Sequence, residues 1–458
     1  MRALWACVAL LGAAPAAALD KPEFSARPPL GAAAKFRPPA PTTLVLPTGL
    51  TAVSLARPGF PLVHLAISVQ AGSALDPPEK SGLAWLVAES LIDGGAGARD
   101  GRSMRDAVDA LGGDLVIEAG VDGAYFLISI PEEKLEPALE LFHDALVAPR
   151  FAPAEVAKVR ARLVAREVLE HSEAEITAAR SFMEAAFAGH PYANWPHGGP
   201  ALASLRPADL IAFHQAHYGP RRTAINVVGG QQTARILAAI EARFSGWKTE
   251  LKGQEPGPPL PKPTARLILV DRPGSAQSAL VIGHLGPNVA APETPAAQVL
   301  AEILGGSFTS RINQNLRETH GYTYGAFAQH HAARLSGTFA VATLVHTEVT
   351  GAAIRETLGE LEKMSKIPEE ERLKAVAQMR MRMVGELSEG EPLALRLATE
   401  ELAGAPADGV MTAIDAWERV DLAQLMSTEA SVVQRDPWII VVVGDRKRVE
   451  PQLSGLPK

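Results

Sequence analysis

A polar, proline-rich stretch near the middle of the chain divides the sequence into two parts of similar layout. Residues 247–263 (WKTELKGQEPGPPLPKP) show no apolar periodicity, which is typical of a linker. On each side of it the pattern predicts hairpin-connected strands, a helix, two further strands and then long helices. The repeated order indicates an internal duplication, and the grouping of strands and helices favours an α+β fold over a doubly wound parallel sheet.

The length of 458 residues allows two domains, each with a hydrophobic core of its own. We predict an N-terminal α+β domain at 42–246 and a C-terminal α+β domain at 264–458. With 47% hydrophobic and 21% charged residues, the composition is that of a globular protein. Because a net charge of −7 gives no electrostatic footprint for nucleic acid, we expect no nucleic-acid partner.

The first residues, MRALWACVALLGAAPAAALDK, have the composition of a targeting segment. One basic residue, an apolar run at 3–14 and small residues at 16–18 predict a cleavable secretory signal at 1–18. The run is too short for a stable membrane span, although an uncleaved signal anchor is the alternative. Residues 19–41, rich in Pro and Ala, are predicted to be an irregular extension. We therefore expect a periplasmic or secreted protein.

The block at 304–327, LGGSFTSRINQNLRETHGYTYGAF, is the segment of the chain with the clearest chemical pattern. It predicts a helix capped by Ser307 or Thr309, with Arg317 in its last turn. A glycine turn follows, and Tyr324 is expected at the start of the next strand. A guanidinium and a phenol on either side of such a turn can converge on one acceptor, such as a carbonyl oxygen. The alternative is that Arg317 caps its own helix and Tyr324 is half-buried packing.

This block resembles the C-terminal domain of the insulinase-type (M16, inverzincin) peptidases. In that family a "GG…SR…LRE…G-Y" run supplies an Arg and a Tyr that hold the substrate at the zinc centre. The resemblance implies these roles for Arg317 and Tyr324. It covers nearly the whole mature chain, and it implies two homologous α+β halves that form a clamshell.

The zinc motif of the family is His-x-x-Glu-His, in which two histidines on one helical face bind the metal and the glutamate activates water. The matching stretch here is SGLAWLVAESL, with Trp85 and Glu89 at the histidine positions and Ala88 at the general-base position. An indole offers only an N–H donor, and alanine cannot accept a proton. The sequence therefore predicts a degenerate zinc site and no cofactor in this chain.

The family's distal metal ligand, a glutamate further along the chain, matches Glu167. If the family fold holds, Glu89 and Glu167 both face the degenerate site. Two carboxylates there without a cation should raise the pKa of one of them, or recruit an Arg or Lys. The alternative is that either carboxylate simply reaches solvent. His214 and His217, three residues apart on a predicted helix, could bind a metal, but no third ligand is identifiable.

A chain that keeps the substrate-holding residues and lacks the metal-holding ones resembles one subunit of the two-chain bacterial members and of the mitochondrial processing peptidases. The resemblance implies a heterodimer of this chain and a zinc-bearing paralogue. The two chains together would hydrolyse peptides, and the zinc is expected in the partner. One alternative is a proteolytically inactive binding or structural protein, similar to the core subunits of respiratory complexes. Another is an independent metalloenzyme that uses His214 and His217.

Overall fold

The computed structural model describes most of the chain after the N-terminal extension. The described residues are 36, 40–195, 200–249, 251, 259–262, 264–406, 408–433 and 438–456. The predicted signal peptide, nearly all of the extension and the centre of the linker lie outside them. Among the described helices, none combines the length and the apolar character needed to cross a membrane. The predicted domain boundaries on either side of the linker stay predictions.

The first half of the described chain contains one mixed sheet and a set of helices. The strands are β1 (Thr42–Val45), β2 (Thr51–Leu55), β3 (Leu62–Val69), β4 (Leu115–Ala119), β5 (Ala124–Pro131) and β6 (Thr223–Gly229). The helices are α1 (Leu83–Asp93), α2 (Gly101–Asp109), α3 (Leu135–Val147), α4 (Pro153–Ser172), α5 (Ala174–Ala186), α6 (Pro207–His217) and α7 (Thr233–Phe244). The described strands lie in the order β1-β2-β6-β3-β5-β4.

The second half repeats this arrangement. Its strands are β7 (Arg266–Asp271), β8 (Gln277–Gly286), β9 (Ala326–Ala332), β10 (Gly337–His346) and β11 (Ile439–Gly444). Its helices are α8 (Thr294–Gly305), α9 (Arg311–Asn313), α10 (Thr350–Lys363), α11 (Glu369–Ser388), α12 (Gly390–Leu402), α13 (Gly409–Arg419), α14 (Leu422–Thr428) and α15 (Arg446–Val449). The described strands lie in the order β7-β11-β8-β10-β9, so β4 and β9 are the corresponding edge strands of the two sheets.

Both sheets are mostly antiparallel, with one parallel pair each. β2 runs parallel to β6, and β7 runs parallel to β11. The predicted hairpin at the start of the fold is confirmed: β1 pairs with β2, and Gly49 supplies the left-handed conformation, with φ +93°, that the connecting turn requires. β6 is buried along its whole length, including the polar residues Thr223 and Asn226, as in a strand that is covered on both faces. The α+β class is confirmed.

The two halves exchange a helix across their sheets. α5, from the first half, packs on β8 and β11 of the second sheet, while α12, from the second half, packs on β3 and β6 of the first. Phe182 of α5 is almost fully buried in a cluster with Val281 and Val441 of the second sheet. Burying such a ring contributes about 1.5–3 kcal/mol. Each sheet therefore depends on a helix of the other half to cover one of its faces.

The internal duplication is visible in the sequence of the long helices. The long helical segment from Pro153 onward is broken once, at Glu173, and the corresponding segment of the second half is broken at Glu389. When these two breaks are aligned, several charged residues match at a constant spacing. The matched pairs are Arg166 with Arg382, Glu170 with Glu386, Arg180 with Arg396, and Glu184 with Glu400. Likewise, α1 and α8 share the sequence Ala-Glu-x-Leu, so that Glu89 matches Glu302 in the alignment of the two halves.

Candidate substrate-binding site and degenerate metal position

Helix α1, which carries the positions of the family's metal motif, lies inside the first half. Its N-terminus is held by Asp76, whose carboxylate accepts hydrogen bonds of 2.8 Å from the backbone N–H groups of Gly82 and Ala84. Burial raises the pKa of Asp76 to about 7. Every residue of α1 is buried, as expected for a helix that is apolar on nearly all sides. Trp85 and Ala88 have no solvent exposure, so both are packing residues.

The carboxylate at the second histidine position is bound to an arginine of α4. Arg162 donates from Nη2 to Glu89 Oε2 at 2.9 Å and from Nη1 to Asp93 Oδ2 at 2.7 Å. Burial raises the pKa of Glu89, and the charge of Arg162 opposes that shift. Burial would also raise the pKa of Asp93, but hydrogen bonds from Arg105 and Arg162 hold it below its usual range. The expected arginine is therefore present, whereas the raised pKa of Glu89 comes from its burial and not from Glu167.

A second arginine covers the indole at the first histidine position. The guanidinium carbon of Arg166 lies 5.2 Å from the centroid of the Trp85 ring, within the range of a cation–π interaction. Arg166 also forms ion pairs with Glu170 at 3.0 Å and with Glu118 of edge strand β4 at 3.4 Å. The cationic group next to Trp85 is thus the guanidinium group of Arg166.

Glu167, at the position of the distal ligand, binds a third arginine. Arg180 of α5 donates from Nη1 to Glu167 Oε1 at 3.2 Å. The carboxylates of Glu89 and Glu167 therefore have different cationic partners and do not share one. The alternative that they simply reach solvent is wrong for both, because their side chains are only 11% and 19% exposed and each is ion-paired.

The residues at the family's metal positions do not fit a zinc ion. They are an indole that cannot donate an electron pair, a methyl group and two carboxylates already bound to guanidinium groups. Within the residues that the structure describes, no three or more His, Cys, Asp or Glu side chains are grouped so that they could hold a metal ion.

The proposed histidine pair of α6 is not arranged as a metal site. His214 Nε2 contacts the carbonyl oxygen of Leu146 at 2.9 Å, which requires this nitrogen to donate. His217 Nδ1 lies 3.2 Å from Nη1 of Arg222. Burial lowers the pKa of both histidines, that of His217 to about 4. Because each ring is fixed by a different local partner, the metal hypothesis for this pair is wrong.

The helix of the 304–327 block begins later than predicted and has a different geometry. It begins at Arg311 after Ser310, and not after Ser307 or Thr309. It then continues as a π-helical turn over Gln314–Thr319, which contains Arg317. Such turns are rare in proteins overall, but those that occur are often at functional sites. The prediction that Tyr324 lies at the start of the next strand is also wrong, because β9 begins only at Ala326 and Tyr324 lies in the loop before it.

Asn313 explains why this loop does not continue the strand. Its Nδ2 donates to the carbonyl oxygens of Ser307 at 3.0 Å and Ala326 at 2.8 Å, and its Oδ1 accepts from the N–H of Ala326 at 3.0 Å. Gly321, with φ +64°, makes the turn, and the N–H of Tyr322 donates to the carbonyl oxygen of Leu316 at 2.8 Å. The backbone that carries Arg317 and Tyr324 is therefore fixed on both sides of the turn.

The side chains of Arg317 and Tyr324 point into solvent from this fixed backbone. Tyr324 is 85% exposed, so the interpretation as half-buried packing is wrong. Arg317 is 38% exposed; it pairs with Glu318 at 3.3 Å and lies over the ring of Phe308 at 4.8 Å. The turn presents a guanidinium and a phenol, both hydrogen-bond donors, on one rigid support. Such donors suit a carbonyl oxygen or an oxyanion.

Sequence reasoning missed the partners of the candidate residues. It singled out Glu89 and Glu167 but did not identify Arg162 or Arg180 as the groups that bind them. Aligning the two halves does not indicate Arg180 as the partner of Glu167, because the residue that matches Glu167 is Met383. No sequence signal marks Phe308 as the ring under Arg317 either.

Together, the exchanged helices, the duplicated α+β halves and the donor pair on its rigid turn define a protein of the insulinase type. The family model described as insulinase (peptidase family M16) matches residues 51–195. The model described as peptidase M16 inactive domain matches residues 204–379, across the predicted linker. The two matches together cover well over half of the chain. The chain belongs to the insulinase-type peptidase family M16.

Relatives and solved structures agree with this family. An uncharacterized zinc protease of Mycobacterium leprae is 24% identical over 334 residues, which are 69% of this chain and 74% of the relative. The crystal structure of a peptidase M16 inactive domain from Pseudomonas fluorescens has a TM-score of 0.80 at 21% identity, covering 89% of this chain and 98% of that one. A protease from Helicobacter pylori has a TM-score of 0.82 at 18% identity, covering 88% and 99%. At these identities the structural likeness shows the fold.

Proposed function

We propose that this chain is the substrate-binding, non-zinc subunit of a heterodimeric M16 peptidase, and that a paralogous partner carries the zinc centre. One asymmetry supports the proposal. Arg317 and Tyr324 are presented to solvent on a fixed turn, whereas the metal positions are filled by a buried indole, a methyl group and ion-paired carboxylates. Such a chain can bind a peptide, and its described residues offer no metal centre with which to hydrolyse it.

The role of this chain in the reaction follows from the chemistry of its two donors. Arg317 and Tyr324 bind the carbonyl oxygen of the bond to be cleaved and orient the peptide against the partner's centre. As that oxygen gains negative charge, hydrogen bonds from a guanidinium and a phenol strengthen more than they do in the ground state. Loss of one preorganised donor in such a site costs about a hundred- to a thousandfold in turnover.

The proposal also includes the compartment. The apolar N-terminal run and its small-residue cleavage site support export, so the heterodimer is proposed to act on peptides in the periplasm or outside the cell. The partner is identified by chemistry: an M16 chain that carries His-x-x-Glu-His and is exported with this one.

A second candidate function is that of a proteolytically inactive binding or structural protein. One observation favours it. Glu89 of α1 is bound by Arg162 of α4, and the matched Glu302 of α8 is bound by Arg382 of α11 at 3.0 Å. The first half therefore uses the same kind of buried ion pair as the second half, whose type is named inactive in the matching family model.

Co-expression separates the two candidates. The chain is purified alone and together with an M16 paralogue from the same genome that carries His-x-x-Glu-His, and each is assayed with internally quenched fluorescent peptides. The peptidase proposal predicts cleavage by the pair and none by this chain alone. In the pair, Tyr324→Phe should reduce turnover far more than assembly, while Tyr322→Phe, the same change two residues away, is the matched control. Assembly without cleavage, or full turnover in the Tyr324→Phe pair, would instead favour the binding protein.

A further inference from the structure

Phe308 is an exposed aromatic residue directly beside one of the two proposed donors. It lies in the loop between α8 and α9, and 64% of its surface is accessible to solvent. A phenylalanine in that environment forgoes most of the free energy that burial of its ring would contribute. Its position is nevertheless well defined, because the guanidinium carbon of Arg317 lies 4.8 Å from the centroid of its ring. The contact joins two segments that are separated by the short helix α9.

The contact matters because an arginine side chain is flexible. An exposed arginine loses rotamer entropy when it is fixed in one orientation, which reduces the benefit of any hydrogen bond it then makes. Two groups restrict Arg317: the ring of Phe308 and the carboxylate of Glu318, at 3.3 Å. Glu318 is half-exposed, and an ion pair of that kind is weak and screened by salt. A ring face, in contrast, fixes the plane of the guanidinium group.

We infer that Phe308 is the positioning residue for Arg317. Its ring holds the guanidinium in the orientation from which the remaining N–H groups reach the peptide carbonyl. The structural part of this inference, that the ring fixes the guanidinium group, does not depend on the proposed function. The kinetic part, that this contact raises the turnover of the pair, rests on the proposed function. In this role Phe308 acts through Arg317 and does not itself contact the reacting atoms.

The structural part is tested on the free chain, without a partner or a peptide. In protein labelled with ¹³C and ¹⁵N at arginine, the side-chain resonances of Arg317, identified by their loss in Arg317→Lys, should be shifted upfield by the ring current. Phe308→Leu should remove this shift and Phe308→Tyr should keep it. Phe327→Leu, which removes another exposed phenylalanine of the same block, should leave it unchanged. An Arg317 resonance that is the same in Phe308→Leu as in the wild type would overturn the inference.

The kinetic part is tested in the assembled pair with the same variants. Phe308→Leu should lower turnover about three- to tenfold, which is the range of an exposed to partly desolvated cation–π contact. Phe308→Tyr should restore most of it, and Phe308→Leu should have no further effect when Arg317 is already alanine. A merely structural role would lower turnover in both backgrounds.

The outcomes distinguish the two proposals. If Arg317→Ala lowers turnover but Phe308→Leu behaves like Phe327→Leu, the positioning role is contradicted and the proposed function stands. If Arg317→Ala leaves the turnover of the pair unchanged, the proposed function is contradicted, and the resonance shift alone decides whether the ring holds the guanidinium.

Discussion

Arg162 Nη2 lies 2.9 Å from Glu89 Oε2, so the carboxylate at a metal-ligand position of the family is bound by a guanidinium group of the same chain. The second half has an ion pair of the same kind, in which Arg382, the residue matched with Arg166, binds Glu302. In both halves a buried carboxylate of the first helix is neutralised by an arginine of the long helix. At a metal-ligand position of the family, the first half thus has the kind of ion pair that the second half has.

Replacing Arg162 tests whether this ion pair stabilises the fold. Arg162→Met removes the charge that faces Glu89 and one of the two arginines on Asp93. Breaking a fully buried pair costs about 3–5 kcal/mol, but Arg162 is half-exposed, so we expect a loss of about 1–2 kcal/mol in the free energy of unfolding. The measurement is urea-induced unfolding at neutral pH. Adding Glu89→Gln should recover part of the loss; an unchanged midpoint in the single variant would contradict the structural role.

Asn313 provides a test of the rigid turn. Asn313→Ala removes the hydrogen bonds to Ser307 and Ala326 that fix the two sides of the loop. Because these groups are buried, we expect a loss of about 2–3 kcal/mol in stability. Turnover of the assembled pair should fall as well, since Arg317 and Tyr324 lose their common support. Asn315→Ala, in the same turn but bonded to Glu356 and Glu360, is the matched control and should spare turnover. Equal loss of turnover in both variants would contradict a specific role for Asn313.

Glu401 makes the contact between the halves sensitive to pH. It lies on α12, and its Oε2 accepts a hydrogen bond of 2.9 Å from Ser68 of β3. Burial raises the pKa of Glu401 from its usual 4.5 to about 7, although the charge of Arg334 opposes the shift. The folded state therefore favours the protonated carboxyl. The stability that this group contributes is fully present below pH 4.5 and is lost as the pH rises through about 7.

Glu401→Gln, which cannot ionise, isolates this effect. Relative to the wild type, the variant should gain stability when the pH is raised from mildly acidic to mildly alkaline values, by about 1–3 kcal/mol. Denaturant unfolding of both proteins at the two pH values measures the difference, and other titrating groups cancel because they are common to both. A difference between the two proteins that does not change with pH would show that Glu401 is ionised throughout.

The fold was largely predictable because its signals are local and repeated. The first hairpin and the repeated order of elements both follow from periodicity and turn residues. The exchange of α5 and α12 was not predictable. Both helices are amphipathic, and such a pattern shows that a face is buried without showing against which sheet.

The candidate site was predictable in its residue types and less so in its geometry. Arg317 and Tyr324 could be identified from the resemblance of their block to the family, because their spacing around a glycine alone left a packing role open. The late start of β9 could not be predicted, because it depends on the long-range hydrogen bonds between Asn313 and Ala326, and no sequence signal indicated the π-helical turn. Similarly, the arginines that bind Glu89 and Glu167 come from other helices, and pairing between helices is a tertiary property.

We propose that the two donors, Arg317 and Tyr324, are retained in a chain that has no metal centre of its own. The most direct test is to purify this chain alone, measure its zinc content, and assay the same sample with the quenched peptides, using Glu167→Gln as a control. We predict no stoichiometric zinc and no cleavage until the His-x-x-Glu-His paralogue is added. One zinc ion per chain together with cleavage by the chain alone, both lost in Glu167→Gln, would contradict the account.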